Sequence, residues 1–512
     1  MPERFYITTA IDYVNGRPHL GHAYEKVLTD TLARYERRKG KEVFFLTGVD
    51  EHGMKVQQSA AKAGRDPQDL ADENAGHFRS LYDRLAISYN DFVRTTEPRH
   101  QEVVRRVLQK LFDSGDIYEG EYVGYYSPKQ EQFLTEDDQV DGEWPPQYGE
   151  VVYLKETVYY FRLSQYQDWL VRFLRDHPDW IFPSFRTREV LGALGKPIPD
   201  LCISRPRERL NWGIPLPFDE DQVTYVWFDA LLNYISVIGF DGDTVGAWWP
   251  AVHVIGKDIM VPAHAVYWPI MLKAIGVSMP ERLLVHGFWT LNRSVMSKST
   301  GNVVDPLELI SVYGRDAFRY YVLREMALGQ DADFGAEQFH NRYQSELGNN
   351  LGNLVNRTVS MVGRYRAGSV PQPDEITPME EALKNDVLEA IKTYRELMDQ
   401  WQIHLALTEL WKGVTRTNQY IEEAAPWKLA KEESQERRLD TVLNQMTVAV
   451  YVLSGELEPI LPDTVDSLCR QINQPCPLPY QSPLKWPHWE NLEKLEKPSP
   501  LFPRVEFESS AS

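Results

Sequence analysis

Phe5-Tyr6-Ile7-Thr8-Thr9-Ala10-Ile11 and Val43-Phe44-Phe45-Leu46 are short runs of apolar, β-branched and aromatic residues, and what lies between them decides the fold. Asp12 and the Asn15-Gly16 turn signal break the first run. After Pro18, Leu20, Tyr24, Val27, Leu28, Thr31, Leu32 and Tyr35 recur at helical spacing, while Glu25, Lys26, Asp30, Arg34 and Arg37 fall off that face. Gly40 ends the pattern. Strand, crossover helix and strand make a right-handed parallel βαβ unit, so an α/β sheet opens the chain.

Working outward, residues 65–115 read as helical, and the stretch from Gly120 to about Tyr160 turns aromatic, acidic and turn-rich around Pro145-Pro146. It reads as an insertion between two halves of the sheet. Sheet-like runs return at Val223–Trp227, Val252–Gly256 and Leu283–Gly287. Beyond Gly335 helical faces take over: Val387, Ile391, Tyr394, Leu397, Met398 and Trp401 mark one, and Val442, Met446, Ala449, Val450 and Leu453 another. This half is expected to be a helical bundle, with Gly368–Pro378 as a Pro-rich connection.

The 512 residues suggest roughly three or four domains. A net charge of −19 excludes a global basic field of the kind that binds nucleic acid or membrane indiscriminately, although a local patch remains open. Three cysteines (Cys202, Cys469, Cys476) suit neither a disulfide framework nor a Cys₄ zinc site. No apolar run approaches the roughly 18 residues of a membrane span, and the N-terminus carries no signal or transit pattern, so the cytoplasm is expected.

Two clusters carry chemistry. His19-Leu20-Gly21-His22 sits where the first strand gives way to its helix, the position where open α/β sheets bind ligands. A helix N-terminus there favours phosphate, and glycine lets a ligand approach the backbone. By itself a His-x-x-His pair favours two ordinary surface histidines. Met296-Ser297-Lys298-Ser299, followed by Thr300-Gly301-Asn302, suits a phosphate clamp or a solvated loop. Together the clusters fit phosphoryl or nucleotidyl transfer, in which positioning and charge stabilisation do most of the catalysis.

In this order the two clusters resemble the His-Ile-Gly-His and Lys-Met-Ser-Lys-Ser signatures of class I aminoacyl-tRNA synthetases. Tyr13-Val14-Asn15-Gly16, Gly48-Val49-Asp50-Glu51-His52-Gly53, Tyr225–Ala230, Ile255-Gly256-Lys257-Asp258-Ile259, Asn353–Arg357 and Ala425-Pro426-Trp427 narrow the resemblance to the methionyl-tRNA synthetase family, over nearly the whole chain. The resemblance implies a Rossmann-type α/β catalytic domain (1–117 and 205–285) with a connective insertion (118–204). A signature-loop region (286–335), an all-α anticodon-binding bundle (336–490) and a tail (491–512) follow. It implies His19, His22 and Lys298 in catalysis, and Gly21, Glu25, Gly256, Asp258, Ser297, Lys298 and Ser299 around ATP. Ala10, Ile11, Tyr13, Trp227, Ala230, Tyr234, Ile259 and His264 would line the methionine pocket, and Asp50 would hold the substrate ammonium. Aromatic walls suit a soft thioether. Asn353, Arg357 and Trp427 would read the CAU anticodon by stacking and edge hydrogen bonds. ATP, Mg²⁺, L-methionine and tRNA(Met) are the implied ligands, and a monomer without a membrane partner is expected.

Three departures stand out. Ser127 replaces one of the cysteines that hold zinc in many relatives, and residues 118–200 hold no cysteine, so no structural zinc is expected. Val295 occupies the place of the signature's first lysine. A charged hydrogen bond to phosphate is worth about 1.5–3 kcal/mol, or on the order of tenfold to a hundredfold in rate, and Arg293 or Lys257 would have to compensate. Met260-Val261-Pro262-Ala263 between Ile259 and His264 is one residue longer than the family pattern.

Overall fold

A computed structural model describes residues 2–129, 132–134, 136–295, 303–476, 478–487 and 494–507. The opening βαβ unit is present: β1 (Arg4–Thr9), a short β2 (Asp12–Tyr13), α1 (Leu20–Arg38) and β3 (Glu42–Asp50). β1 is buried on both faces after Arg4, as strands covered by helices on either side must be. α1 ends with Arg37 and Arg38 against its negative pole, and Gly40 takes the left-handed turn (φ 90°) that releases the chain into β3.

The stretch 65–115 is not helical throughout. Between the helices Pro67–Arg84 and α2 (Pro98–Asp113) lies a four-residue strand, β4 (Asp91–Arg94), which pairs with β3. Its two charged ends leave only Phe92 and Val93 to signal a strand, too few to show a period. The insertion is built on a long antiparallel pair, β5 (Ile117–Ser127) and β6 (Val152–Phe161), and then returns β7 (Ile181–Phe182) to the edge of the main sheet.

The run Val223–Trp227 divides between two elements. β8 (Asp219–Thr224) belongs to a small antiparallel sheet with Ser204–Pro206 and Pro215–Leu216, and α3 (Val226–Leu231) starts immediately after Tyr225. β-branched residues mark the strand locally. Only packing of Val226, Phe228, Ala230 and Leu231 into the core turns the continuation into a helix. A one-turn helix, α4 (Asn233–Ser236), follows, then β9 (Ala251–Gly256) and β10 (Arg282–His286).

The seven-stranded parallel sheet runs β2-β3-β1-β9-β10-β7, with β4 beside β3. β1 therefore has β3 on one side and β9 on the other (Thr8 opposite Leu46 and His253). The chain leaves β1 in opposite directions across the sheet, and the crevice beyond these strand ends is where such folds bind ligands.

The C-terminal half is all helical: α5 (Asn353–Arg366), α6 (Pro378–Asp399), α7 (Ile403–Ala424), α8 (Glu436–Leu457) and α9 (Pro462–Gln471). α8 is buried along nearly its whole length and forms the bundle's centre. A Cβ on Gly413 of α7 would come within 2.9 Å of Leu453, so glycine sets that close helix approach. One buried arginine joins bundle to sheet. Arg319 pairs with Asp30 of α1 at 2.7 Å and donates to the carbonyls of Leu85, Pro459 and Ile460.

Candidate active site

A cavity of about 470 Å³ opens beyond the ends of β1, β3, β9 and β10. Its walls include Ala10, Ile11, Tyr13, His19, Gly21, His22, Glu25, Asp50, Trp227, Ala230, Tyr234, Gly256, Asp258, Ile259 and His264. Sequence reasoning missed Asn15, Lys55, Asn233 and His286–Trp289, which line it as well. His286 is the last residue of β10, next to the Gly287 that closes the sheet-like run, so its place at a strand's carboxyl end was the available signal.

The two signature histidines begin α1. His19 is the N-cap, and its Nδ1 accepts from Gly21 N at 3.1 Å; His22 Nδ1 accepts from His19 N at 3.0 Å. This is a capping box made by imidazoles, with ring centroids 3.9 Å apart. Because each Nδ1 accepts, each neutral ring carries its proton on Nε2 and is a donor there. The helix start thus supplies a positive dipole end together with two ring N–H groups.

Beneath it, Glu25 bonds Lys26 at 2.8 Å and His286 Nε2 at 3.1 Å. Burial alone would raise the Glu25 pKa, but Lys26 and His286 outweigh it and bring it down to about 2. Lys26 also bonds Asp12 at 2.7 Å, and the Tyr82 hydroxyl donates to Asp12. On the facing strand end, a Cβ on Gly256 would come within 2.5 Å of Asp258 Oδ1, so only glycine leaves that carboxylate its place.

The other end of the cavity is aromatic. The Tyr234 hydroxyl meets His264 Nε2 at 2.8 Å, while His264 Nδ1 lies 2.9 Å from the Ile259 carbonyl. A carbonyl only accepts, so Nδ1 carries the proton and the tyrosine donates to Nε2. Burial pushes the His264 pKa down to about 4, which keeps the ring neutral. Met260–Tyr267 forms wider, π-type turns with a kink at Val261. A π turn is how a helix absorbs one inserted residue, and this one lets His264 reach the cavity despite the longer spacing.

Asp50 ends β3 and is buried; the Tyr13 hydroxyl donates to the His52 carbonyl two residues further on at 3.0 Å. Ser297, Lys298 and Ser299 lie outside the described residues. The hairpin leading to them, Trp289–Leu291 with Ser294–Val295, turns through Asn292 and Arg293, both at positive φ. Arg293 is exposed there. Lys257 pairs with Asp331 at 2.7 Å and lies 4.4 Å over the Phe288 ring.

Far from the cavity, exposed Asn353 opens α5, and Arg357 follows one turn later. The Arg357 guanidinium lies 5.6 Å from the Trp427 ring and 2.7 Å from Glu422. Ala425, in a left-handed cap, ends α7 and turns Trp427 toward α5. In the insertion, buried Ser127 donates to the Tyr148 carbonyl at 2.6 Å. Among the described residues no group of three or more His, Cys, Asp or Glu is arranged to hold a metal, and no helix is long and apolar enough to cross a membrane.

The family described as tRNA synthetases class I (M) matches residues 5–151 and 147–359, and the anticodon binding domain of methionyl tRNA ligase matches residues 370–510. A methionine–tRNA ligase of Caldanaerobacter subterraneus is 40% identical over 512 residues, covering 99% of this chain and 80% of that protein. That of Bacillus subtilis is 40% identical over 529 residues, covering 98% of this chain and 78% of its own length. The fold superimposes on Mycobacterium tuberculosis methionyl-tRNA synthetase in complex with methionyl-adenylate with a TM-score of 0.92 at 37% identity, covering 98% of this chain and all of that one. The chain belongs to the methionyl-tRNA synthetase family of class I aminoacyl-tRNA synthetases.

Proposed function

We propose that this chain, a methionine–tRNA ligase by family, carries out both steps of methionine activation and transfer in the one cavity at the sheet's switch point. The observation that carries the reading is that a helix N-terminus bearing two imidazole donors and an aromatic, His-bearing pocket open into the same 470 Å³ space. In the first step a methionine carboxylate oxygen attacks the ATP α-phosphorus, forming the mixed anhydride as the bond to pyrophosphate breaks. In the second, a ribose hydroxyl at the tRNA 3′ end attacks the carbonyl carbon and AMP leaves.

On this reading His19 and His22 donate Nε2–H to the phosphoryl oxygens as charge gathers on them, and the α1 dipole adds to this. Gly21, Gly256, Asp258 and Glu25 seat the nucleotide, and Ser297, Lys298 and Ser299 act on the departing phosphates. Mg²⁺ carried by the nucleotide substrate would offset part of the charge on its phosphates. Ala10, Ile11, Tyr13, Trp227, Ala230, Tyr234, Ile259 and His264 enclose the methionine side chain, and Asp50 takes its ammonium. The Tyr234–His264 bond supports this, because it fixes a neutral polar pair in an otherwise aromatic wall.

Arg293 is the better replacement for the cation that Val295 lacks, since Lys257 is already paired with Asp331. Asn353, Arg357 and Trp427 read the anticodon, supported by the Arg357 guanidinium lying over the face of the Trp427 ring. We read the insertion as zinc-free, the chain as monomeric and its compartment as the cytoplasm. Methionine-dependent ATP–pyrophosphate exchange, run with each of the twenty amino acids, tests the reading. Exchange with methionine alone is expected; no exchange with any, alongside tight tRNA binding, would favour a tRNA-binding protein without catalysis.

A further inference from the structure

Behind the cavity lies a group that neither step of the reaction uses. Asp229 is fully buried on α3, and its two oxygens accept from two histidines: His52 Nδ1 at 2.6 Å and His100 Nε2 at 2.7 Å. His100, in the first turn of α2, is also fully buried, and its Nδ1 lies 2.9 Å from Ser236 Oγ, which donates to the Asn233 carbonyl at 3.1 Å. A carboxylate this deep would be costly without full pairing, so the two imidazoles and the aspartate stand or fall together. Burial alone would raise the Asp229 pKa, but the charge and hydrogen bonds of His52 and His100 outweigh it and hold it below the usual carboxylate range.

The cluster's importance is in what it joins. His52 is two residues from Asp50, Asp229 sits between Trp227 and Ala230, and Ser236 is two residues from Tyr234. His52 just beyond β3, His100 on α2, Asp229 on α3 and Ser236 on α4 come from distant chain segments, His52 and Asp229 being 177 residues apart, and this cluster hydrogen-bonds them to one another. We propose that Asp229, with His52 and His100, is the positioning cluster that sets the distance between the ammonium-binding end and the aromatic end of the methionine pocket. The proposal rests on the reading of Asp50, Trp227 and Tyr234 as that pocket. A substrate held at both ends binds well only if both ends keep their spacing, whereas ATP, seated on α1 and β9, does not depend on it.

The test is steady-state ATP–pyrophosphate exchange on the purified full-length chain, with KM measured separately for methionine and ATP. His52→Ala removes a hydrogen bond to a buried carboxylate and is expected to raise the methionine KM on the order of tenfold to a hundredfold. The ATP KM should stay within about twofold, because the seat on α1 is untouched. His52→Asn should recover most of the loss, since the asparagine Nδ2 occupies the place of the imidazole Nδ1 and still donates. Ser236→Ala removes only one hydroxyl and is expected to raise the methionine KM about threefold. It carries the test if His52→Ala does not fold. An unchanged methionine KM in the folded variants, or equal rises for methionine and ATP, overturns the proposal. Asp50→Asn separates the two levels: if it too leaves the methionine KM unchanged, the pocket reading has failed, whereas a rise there without one in His52→Ala sinks the positioning cluster alone.

Discussion

His264 is held neutral inside the protein by burial, against the opposing pull of its bond to the Ile259 carbonyl, and this determines how the cavity responds to acid. Its pKa falls from 6.5 to about 4, so in the interval between them the unfolded chain binds a proton that the folded chain refuses. Stability contributed by this residue is therefore complete above pH 6.5 and is lost as pH drops toward 4, by about 3 kcal/mol in all. His264→Gln is expected to show a smaller drop in Tm between pH 7 and pH 5 than the native chain, measured by thermal denaturation at each pH. An equal drop would mean that other buried groups set the acid response. Among individual residues, His19 and His22 were legible from their place at a strand–helix junction. Trp227, Tyr234 and His264 were not, because aromatic residues in a core and aromatic residues lining a cavity have the same local pattern. The family resemblance alone distinguished them. Asp229, His52 and His100 escaped notice because their meeting depends on tertiary structure.

At the level of elements, the hairpin before the signature loop bears on the charge that Val295 lacks. Asn292 and Arg293 have φ of 54° and 61°, the signature of a two-residue type I′ turn, which holds its side chains at a rigid tip. If Arg293 supplies the cation that Val295 lacks, Arg293→Ala will lower the rate of methionyl-adenylate formation on the order of tenfold to a hundredfold with the methionine KM unchanged. Single-turnover kinetics would check it, and an unaltered rate would return the question to Lys257. The inserted sheet makes a second prediction. Ser127 closes onto the Tyr148 carbonyl, and Tyr125 packs on Trp144 with centroids 5.0 Å apart. Treatment with a chelator should leave Tm unchanged, and metal analysis of the purified chain should find no stoichiometric zinc. The βαβ unit and the bundle helices were legible because long segments repeat their period. β4 and the Val223–Trp227 boundary were not, since four residues show no period and a strand-like run can continue into a helix once packing demands it.

Across the whole molecule, the cavity and the Arg357–Trp427 pair belong to opposite halves of the chain, linked by Arg319 and by pairs such as Arg34–Glu458 and Lys39–Asp399. Changes at the second should therefore be felt by tRNA and not by the amino acid. Trp427→Ala is expected to raise the tRNA KM on the order of tenfold or more, the usual cost of losing a base-stacking aromatic, and to leave ATP–pyrophosphate exchange unchanged. Aminoacylation and exchange assays on one preparation compare the two, and an equal loss in both would place Trp427 in general stability instead. The order of strands has a further consequence, for how the chain is made. β1 is synthesised well before one of its neighbours, β9, whose His253 bonds Thr8 across 245 residues of chain. At about 5–20 residues per second, an apolar strand waits roughly 10 to 50 s on the ribosome before its sheet can close. During that wait its apolar surface is open to other nascent chains, so the yield of this protein in a cell should depend on the chaperones that bind it before the second half of the sheet emerges.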